Sequence, residues 1–289
     1  MYIVRMWEGL GNQMFQYAFA RAIQHRTGQK VFLDADRTYK ESFLLEEKHV
    51  ERSYMLDNFN IRLKKIKVDE LAAYDFLRQR TPLEKILFSL SQKGWWIVSF
   101  LQDTDAVYHK EFFRKKGNYY VFGWFQQEAY FKDIRNILLK EFTPKRKIKI
   151  SGKLLSVLRE ENTVAVHVRR SDYLKLGHVC NSFYYTKAMC YIKKYVENPI
   201  YLVFSDDVEW VKNNVKIAGR AIYISEEYQF KDFEELIIMS KCKHQIIANS
   251  TFSWWGAWLN KNPNKIVIAP SKWFIGIQDN IVPDDWTII

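Results

Sequence analysis

Four short stretches hold side chains able to bind charge or move a proton. The first is His167-Val168-Arg169-Arg170-Ser171-Asp172-Tyr173, directly after the apolar run Thr163–Val168. If that run is a strand, alternate residues point to opposite faces, so His167 and Arg169 share one. An arginine there can clamp a phosphate through two parallel hydrogen bonds. The plainer alternative is a surface arginine pair bridged to Asp172. The second stretch, Ser205-Asp206-Asp207, follows the run Ile200–Ser205. An aspartate there can accept from the N1–H and N2 amine of guanine, accept from ribose hydroxyls, cap the next helix, or join a Mg²⁺ site. The third, Asn249-Ser250-Thr251-Phe252-Ser253-Trp254-Trp255, opens a helix. Ser250 or Thr251 suits its N-cap, and the same helix start can receive phosphate. Phe252, Trp254, Trp255 and Trp258 are expected to be core. The fourth, Gly9-Leu10-Gly11-Asn12, follows a short first strand. It lacks the full GxGxxG spacing, and Met14 argues against a dinucleotide fingerprint.

Two weaker signals complete the inventory. Asp34-Ala35-Asp36 imitates a metal-binding DxD triplet. Glu226-Glu227 follows another apolar run.

The elements that must position these groups are clearest in the second half of the chain. TVAVHV (163–168), IYLVFS (200–205), AIYIS (221–225), HQIIAN (244–249) and KIVIA (265–269) are nearly continuous apolar runs, as strands covered on both faces should be. Helical patterns lie between them near 182–196, 207–215, 231–241 and 252–261. Such alternation predicts a parallel α/β sheet. Every polar signature of this half then falls just after a strand, on the carboxyl rim where open α/β sheets bind ligands. The chain opens in the same style, with a strand at 1–6, a glycine turn, a helix from about Met14 to Gly28, and a strand at 31–34. The expected domains are 1–150 and 151–289, with the basic stretch Pro144–Lys147 as the candidate boundary. Residues 37–130 give few clear signals.

The chain has 289 residues, 48% hydrophobic and 27% charged, and a formal net charge of +11. This composition excludes wholesale disorder and favours anionic partners. The basic residues are dispersed, which argues against a nucleic-acid-binding protein. Three cysteines without metal spacing suggest inert thiols in a reducing compartment. No signal-like apolar stretch and no 18-residue apolar run occur, so a cytoplasmic location is expected, at most peripheral to a membrane.

Four segments in this order, GLGNQMFQYAFARAI (9–23), HVRRSDY (167–173), FSDD (204–207) and NSTFSWWGAWL (249–259), together closely resemble the bacterial α-1,2-fucosyltransferases of glycosyltransferase family 11. The resemblance implies a GT-B-type α/β fold, two Rossmann-like domains facing a cleft. It implies an N-terminal acceptor-side domain and a C-terminal GDP-fucose-binding domain. GDP-β-L-fucose is the implied donor and the 2-hydroxyl of a terminal β-galactose the implied acceptor, with inversion at fucose, no obligatory metal and no cofactor. By the same resemblance Arg169 binds the diphosphate, His167 and one of Asp206 and Asp207 lie on the nucleoside side, and Ser250 and Thr251 form a phosphate turn. Gly11 and Asn12 resemble an N-terminal loop that reaches the donor. Asp172 is the candidate catalytic base, or else it orients Arg169 or Arg170. Two positions depart from the family pattern: Glu8 and Ser171 stand where glycine is common. A lipid-carried acceptor glycan at the inner face of an anionic membrane is the further expectation. Three rival readings are a metal-dependent GT-A enzyme using Asp34 and Asp36, a nucleic-acid-binding protein, and a non-catalytic glycan-binding protein.

Overall fold

The computed structural model describes residues 1–35, 53–67, 81–93, 98–103, 107–176, 179–273 and 281–289. The chain divides into two units, Met1–Lys145 and Arg146–Ile289.

In the first unit the run Tyr2–Arg5 forms the central strand β1, buried at every position. Parallel neighbours flank it: β2 (Val31–Asp34) on one side and β5 (Tyr119–Gly123) on the other. The short β3 (Lys64–Lys65) and β4 (Ser99–Asp103) complete the order β3-β2-β1-β5-β4. Helix α1 (Leu10–Thr27) crosses from β1 to β2, and its apolar residues are buried along its whole length. It ends at Gly28, whose φ of 67° lies in the left-handed region that favours glycine. Helix α2 (Pro82–Gln92) starts with a capping box between Thr81 and Glu84 and a proline in its first turn. Helix α3 (Arg135–Glu141) closes the unit after two short 3₁₀ turns, Glu128–Tyr130 and Lys132–Ile134.

The second unit is built on β6 (Thr163–Val168) and β7 (Ile200–Ser205), each wholly buried and matching its apolar run residue for residue. With β8 (Arg220–Tyr223), β9 (His244–Ile246), β10 (Val267–Ala269) and β11 (Thr287–Ile288), the order is β11-β10-β9-β6-β7-β8, parallel throughout. The run expected as a strand to Ser225 stops at Tyr223. There Glu227 accepts from the Tyr223 amide at 3.0 Å and the chain turns into the short helix α8 (Ile224–Glu227).

Other helices of this unit are α4 (Gly152–Glu160), α5 (Ser171–Leu176), α6 (Ser182–Ile192), α7 (Val208–Asn214), α9 (Asp232–Met239) and α10 (Thr251–Trp258). Alternation along β6 sorts them. Val164, Val166 and Val168 pack with Tyr184, Tyr185 and Met189 of α6. Ala165 packs on the other face, with Leu154 and Leu158 of α4 and Ile238 and Met239 of α9. His167 and Arg169 continue the Ala165 side. Helices α9 and α10 pack closely, because a Cβ at Gly256 would come within 2.5 Å of the Met239 sulfur. That fit fixes the start of α10 over the same face.

Candidate active site

Arg169 and Arg170 are the first two residues beyond β6, and Asp206 and Asp207 the first two beyond β7. Because β6 and β7 run parallel with Val168 opposite Ser205, the two pairs meet. Arg169 Nη1 lies 3.1 Å from a carboxylate oxygen of Asp206, with both side chains partly buried. The same carboxylate accepts from the backbone amides of Arg170 at 2.9 Å and Ser171 at 3.2 Å. One aspartate thus holds the guanidinium and shapes the loop that carries it.

Asp207 serves the second arginine. Its Oδ2 receives the Arg170 Nε–H at 3.2 Å, and its Oδ1 caps α7 by accepting from the Trp210 amide at 3.0 Å. The Arg170 guanidinium rests 3.7 Å from the centre of the Trp210 ring. Arg170 is therefore fixed to α7. Both aspartates are engaged by the protein, so the nucleoside-side role expected of one of them competes with these bonds. Asp206 and Asp207 pair with the two arginines. Asp172 itself lies in the first turn of α5, and its side chain is outside the described residues.

His167 is buried, 6% exposed, with its ring 5.6 Å from that of Phe252 at the start of α10. Burial first, and then the charge of Arg169, lower its pKa to about 3. The imidazole is neutral at any physiological pH. Its backbone carbonyl accepts from the Tyr185 hydroxyl at 3.2 Å, which ties the strand end to α6.

Ser250 occupies the N-cap position of α10, but its side chain makes no capping bond. Its carbonyl accepts the first intrahelical bond, from the Trp254 amide at 3.0 Å. Ser250 is buried and Thr251 half-buried. Trp254, Trp255 and Trp258 are core, as their spacing predicts. Asn249 is buried, accepting from Cys180 Sγ at 3.4 Å.

In the first unit Gly11 and Asn12 lie in the first turn of α1 and not in a preceding loop, because the helix begins at Leu10. The Asn12 side-chain carbonyl accepts from Gln126 Nε2 at 2.9 Å. Glu8 adopts a φ of 65°, the left-handed conformation that explains why glycine suits this position. The Gln13 side chain steadies it by donating to the Glu8 carbonyl at 2.8 Å.

The DxD reading fails on burial. Asp34 is fully buried and bonded to Arg5 and to the Tyr120 hydroxyl, so it is a core ion pair facing no solvent. Asp36 lies outside the described residues. Glu226 is paired with Lys212 on the surface and Glu227 holds the β8 terminus, so neither joins the site. Among the described residues no helix is long and apolar enough to cross a membrane. Sequence reasoning missed Trp210, whose ring only the fold brings under Arg170.

Comparison with known proteins gives this geometry a context. The chain is 32% identical to an alpha-1,2-colitosyltransferase of Escherichia coli, over 94% of this chain and 92% of that one. It is 31% identical over 108 residues to galactoside alpha-(1,2)-fucosyltransferase 1 of Saimiri boliviensis boliviensis, covering 35% of this chain and 30% of the relative. Its fold is similar to that of a variant of Arabidopsis thaliana FUT1 solved with GDP, with a TM-score of 0.50 at 13% identity over 93% of this chain and 70% of that one. Two parallel Rossmann-like α/β units make the architecture GT-B-type. The family model for glycosyl transferase family 11 matches residues 1–286, so the carboxyl-rim site, the fold and the full-length match agree that the chain belongs to that family of glycosyltransferases.

Proposed function

We propose that this chain is a galactoside α-1,2-fucosyltransferase. It transfers L-fucose from GDP-β-L-fucose, with inversion, to the 2-hydroxyl of a terminal β-galactose. The observation that carries this reading is Arg169, held by Asp206 at the carboxyl end of β6 on the sheet face shared with His167 and α10. The relatives named for α-1,2 transfer to galactosides support the acceptor and linkage.

The chemistry follows from charge. Breaking the fucose–phosphate bond leaves GDP as the departing group. A diphosphate needs no proton, but it needs positive charge against its growing negative charge. Arg169 supplies that charge without metal, and the amides at the start of α10 beside Ser250 and Thr251 add hydrogen bonds. The sugar carbon becomes oxocarbenium-like, and the acceptor hydroxyl attacks from the face opposite the leaving group. A carboxylate base takes its proton, and Asp172 in α5 is the candidate. Asp206 acts through Arg169, which it orients. His167 contributes a neutral imidazole on the nucleoside side. The first unit provides the acceptor side, apart from Gly11 and Asn12, which serve the donor as the family resemblance implies. The acceptor is a glycan carried on lipid, and the net charge of +11 favours an anionic membrane face in the cytoplasm.

A second reading concerns the sugar alone. The colitosyltransferase relative makes GDP-colitose the alternative donor, a sugar lacking the 3-hydroxyl of fucose. Incubating purified protein with each donor and a panel of galactosides, in EDTA, and determining product linkage tests both. A 1,2-linked fucosyl product supports the proposal. Transfer only from GDP-colitose would reassign the donor, and no transfer without added metal would overturn the role of Arg169.

A further inference from the structure

Helix α6 turns one side to the core and leaves the other to solvent. The inner side is fixed by burial of Tyr184, Tyr185 and Met189. It is pinned by the Tyr184 hydroxyl, which donates to the Ile247 carbonyl at 2.6 Å. The outer side carries Phe183, Lys187, Tyr191 and Lys194 at spacings of three and four, with Tyr195 in the turn that follows. Phe183 is 68% exposed and Tyr195 63%. Lys187 Nζ stands 5.9 Å from the centre of the Phe183 ring, and the Tyr191 and Tyr195 rings lie 5.1 Å apart. Aromatic and basic side chains thus alternate along a rigid surface.

Charge on this surface has one sign. No aspartate or glutamate occurs from Ser182 to Val196, whereas Lys187, Lys193 and Lys194 are all exposed. Among the described residues none of these three lysines forms an ion pair, unlike Lys212, which is paired with Glu226. A helix with aromatic side chains and lysines on its outer face, free of carboxylates, has the chemistry of an anionic membrane–water boundary. Rings sit among headgroups there, and each lysine lays its stem on apolar surface while its ammonium meets a lipid phosphate. Position fits as well. Helix α6 covers the sheet face of Val164, Val166 and Val168, and His167 and Arg169 continue the opposite side of β6. A surface seated on α6 leaves the Arg169 side open.

We propose that the outer face of α6 docks on an anionic lipid bilayer, with Phe183 and Tyr195 in the headgroup layer and Lys187, Lys193 and Lys194 on lipid phosphates. This docking rests on the reading of a lipid-carried acceptor, because an enzyme held there meets its glycan at the membrane. Two rings and three lysines make the contact reversible and salt-sensitive.

The experiment uses the full chain with vesicles of phosphatidylcholine alone or with one third phosphatidylglycerol. Binding is read by co-sedimentation, and by an environment-sensitive dye on Cys190, an exposed cysteine of α6, Cys180 and Cys242 being buried. The wild type should bind the anionic vesicles, with a blue shift of the dye, and leave them at about 0.5 M salt. Each lysine at such a surface contributes about fivefold, so Lys187→Gln with Lys194→Gln should weaken binding about 25-fold. Phe183→Ser with Tyr195→Ser should weaken it about tenfold or more. Tm and transfer to a soluble galactoside should stay at wild-type values in both. Equal binding to neutral and anionic vesicles overturns the proposal. Anionic binding that survives both double variants overturns the assignment to α6 and leaves the membrane reading intact. A wild type that binds neither vesicle overturns both, while transfer to the soluble galactoside tests the transferase reading separately. A wild-type dimer that both variants convert to monomer, by light scattering, makes the face a contact between copies and overturns the proposal too.

Discussion

Arg169 and Asp206 stand 3.1 Å apart across the ends of two parallel strands, and the same aspartate binds the amides of Arg170 and Ser171. The aspartate both orients the guanidinium and moderates its charge. A phosphate arriving at Arg169 meets a side chain already fixed, which lowers the entropy lost on binding.

Replacing Asp206 by alanine should therefore harm activity through Arg169. The variant loses a partly buried ion pair and two amide acceptors. Stability should fall by about 1–3 kcal/mol, measured as a drop in Tm, and transfer should fall at least tenfold. Asp206→Asn retains an acceptor and should recover part of both. Equal activity in wild type and Asp206→Ala would remove the positioning role.

Asp207 separates a structural from a ligand role. Asp207→Ala should cost about 1 kcal/mol by uncapping α7. Asp207→Ser keeps a capping oxygen and should restore most of the stability, with GDP affinity unchanged in calorimetry. A strong loss of GDP affinity in the serine variant would return the nucleoside contact to Asp207.

The signature after β6 was legible because strand alternation and the carboxyl-rim rule together predict where His167 and Arg169 point. β6 and β7 match their apolar runs exactly in extent because both faces are covered. What the sequence hid is pairing across elements. That Arg169 meets Asp206 follows from the register of β6 against β7, which local pattern does not encode. Ser250 looked like a side-chain cap because serine commonly is one, and it does hold the N-cap position, yet its hydroxyl makes no capping bond. The β4 and β3 strands are short edge strands with weak patterns, and β11 has only two residues.

Buried neutral histidine predicts a pH dependence of folding. The folded pKa of His167 is lowered to about 3 from 6.5, so below pH 6.5 the unfolded chain takes a proton that the folded chain refuses. Stability is lost as pH falls from 6.5 towards 3, at no more than about 1.4 kcal/mol per pH unit. His167→Gln should flatten the fall in Tm over that window. Glu235 has the opposite sign. Its folded pKa, raised to about 7 from 4.5, costs stability as pH rises from 4.5 to 7, so Glu235→Gln should gain stability relative to wild type at pH 8. Parallel Tm profiles for all three proteins would contradict both assignments.

Glu8 tests backbone strain. Its φ of 65° suits glycine, so Glu8→Gly should leave Tm unchanged or raise it, a gain of up to about 1 kcal/mol. A β-branched Glu8→Val should lose at least as much. Thermal denaturation of the two variants checks the sign, and a large loss in Glu8→Gly would show that the glutamate side chain matters more than its backbone.

The most direct test of the central claim is single-turnover transfer from GDP-fucose to a galactoside by Arg169→Ala and Arg169→Lys, in EDTA, with Tm as the folding control. If Arg169 neutralises the departing diphosphate, the alanine variant keeps its fold and loses about 10²–10³-fold in rate, roughly 3–4 kcal/mol of transition-state stabilisation, with the lysine variant between. A folded Arg169→Ala protein that turns over at the wild-type rate would contradict it.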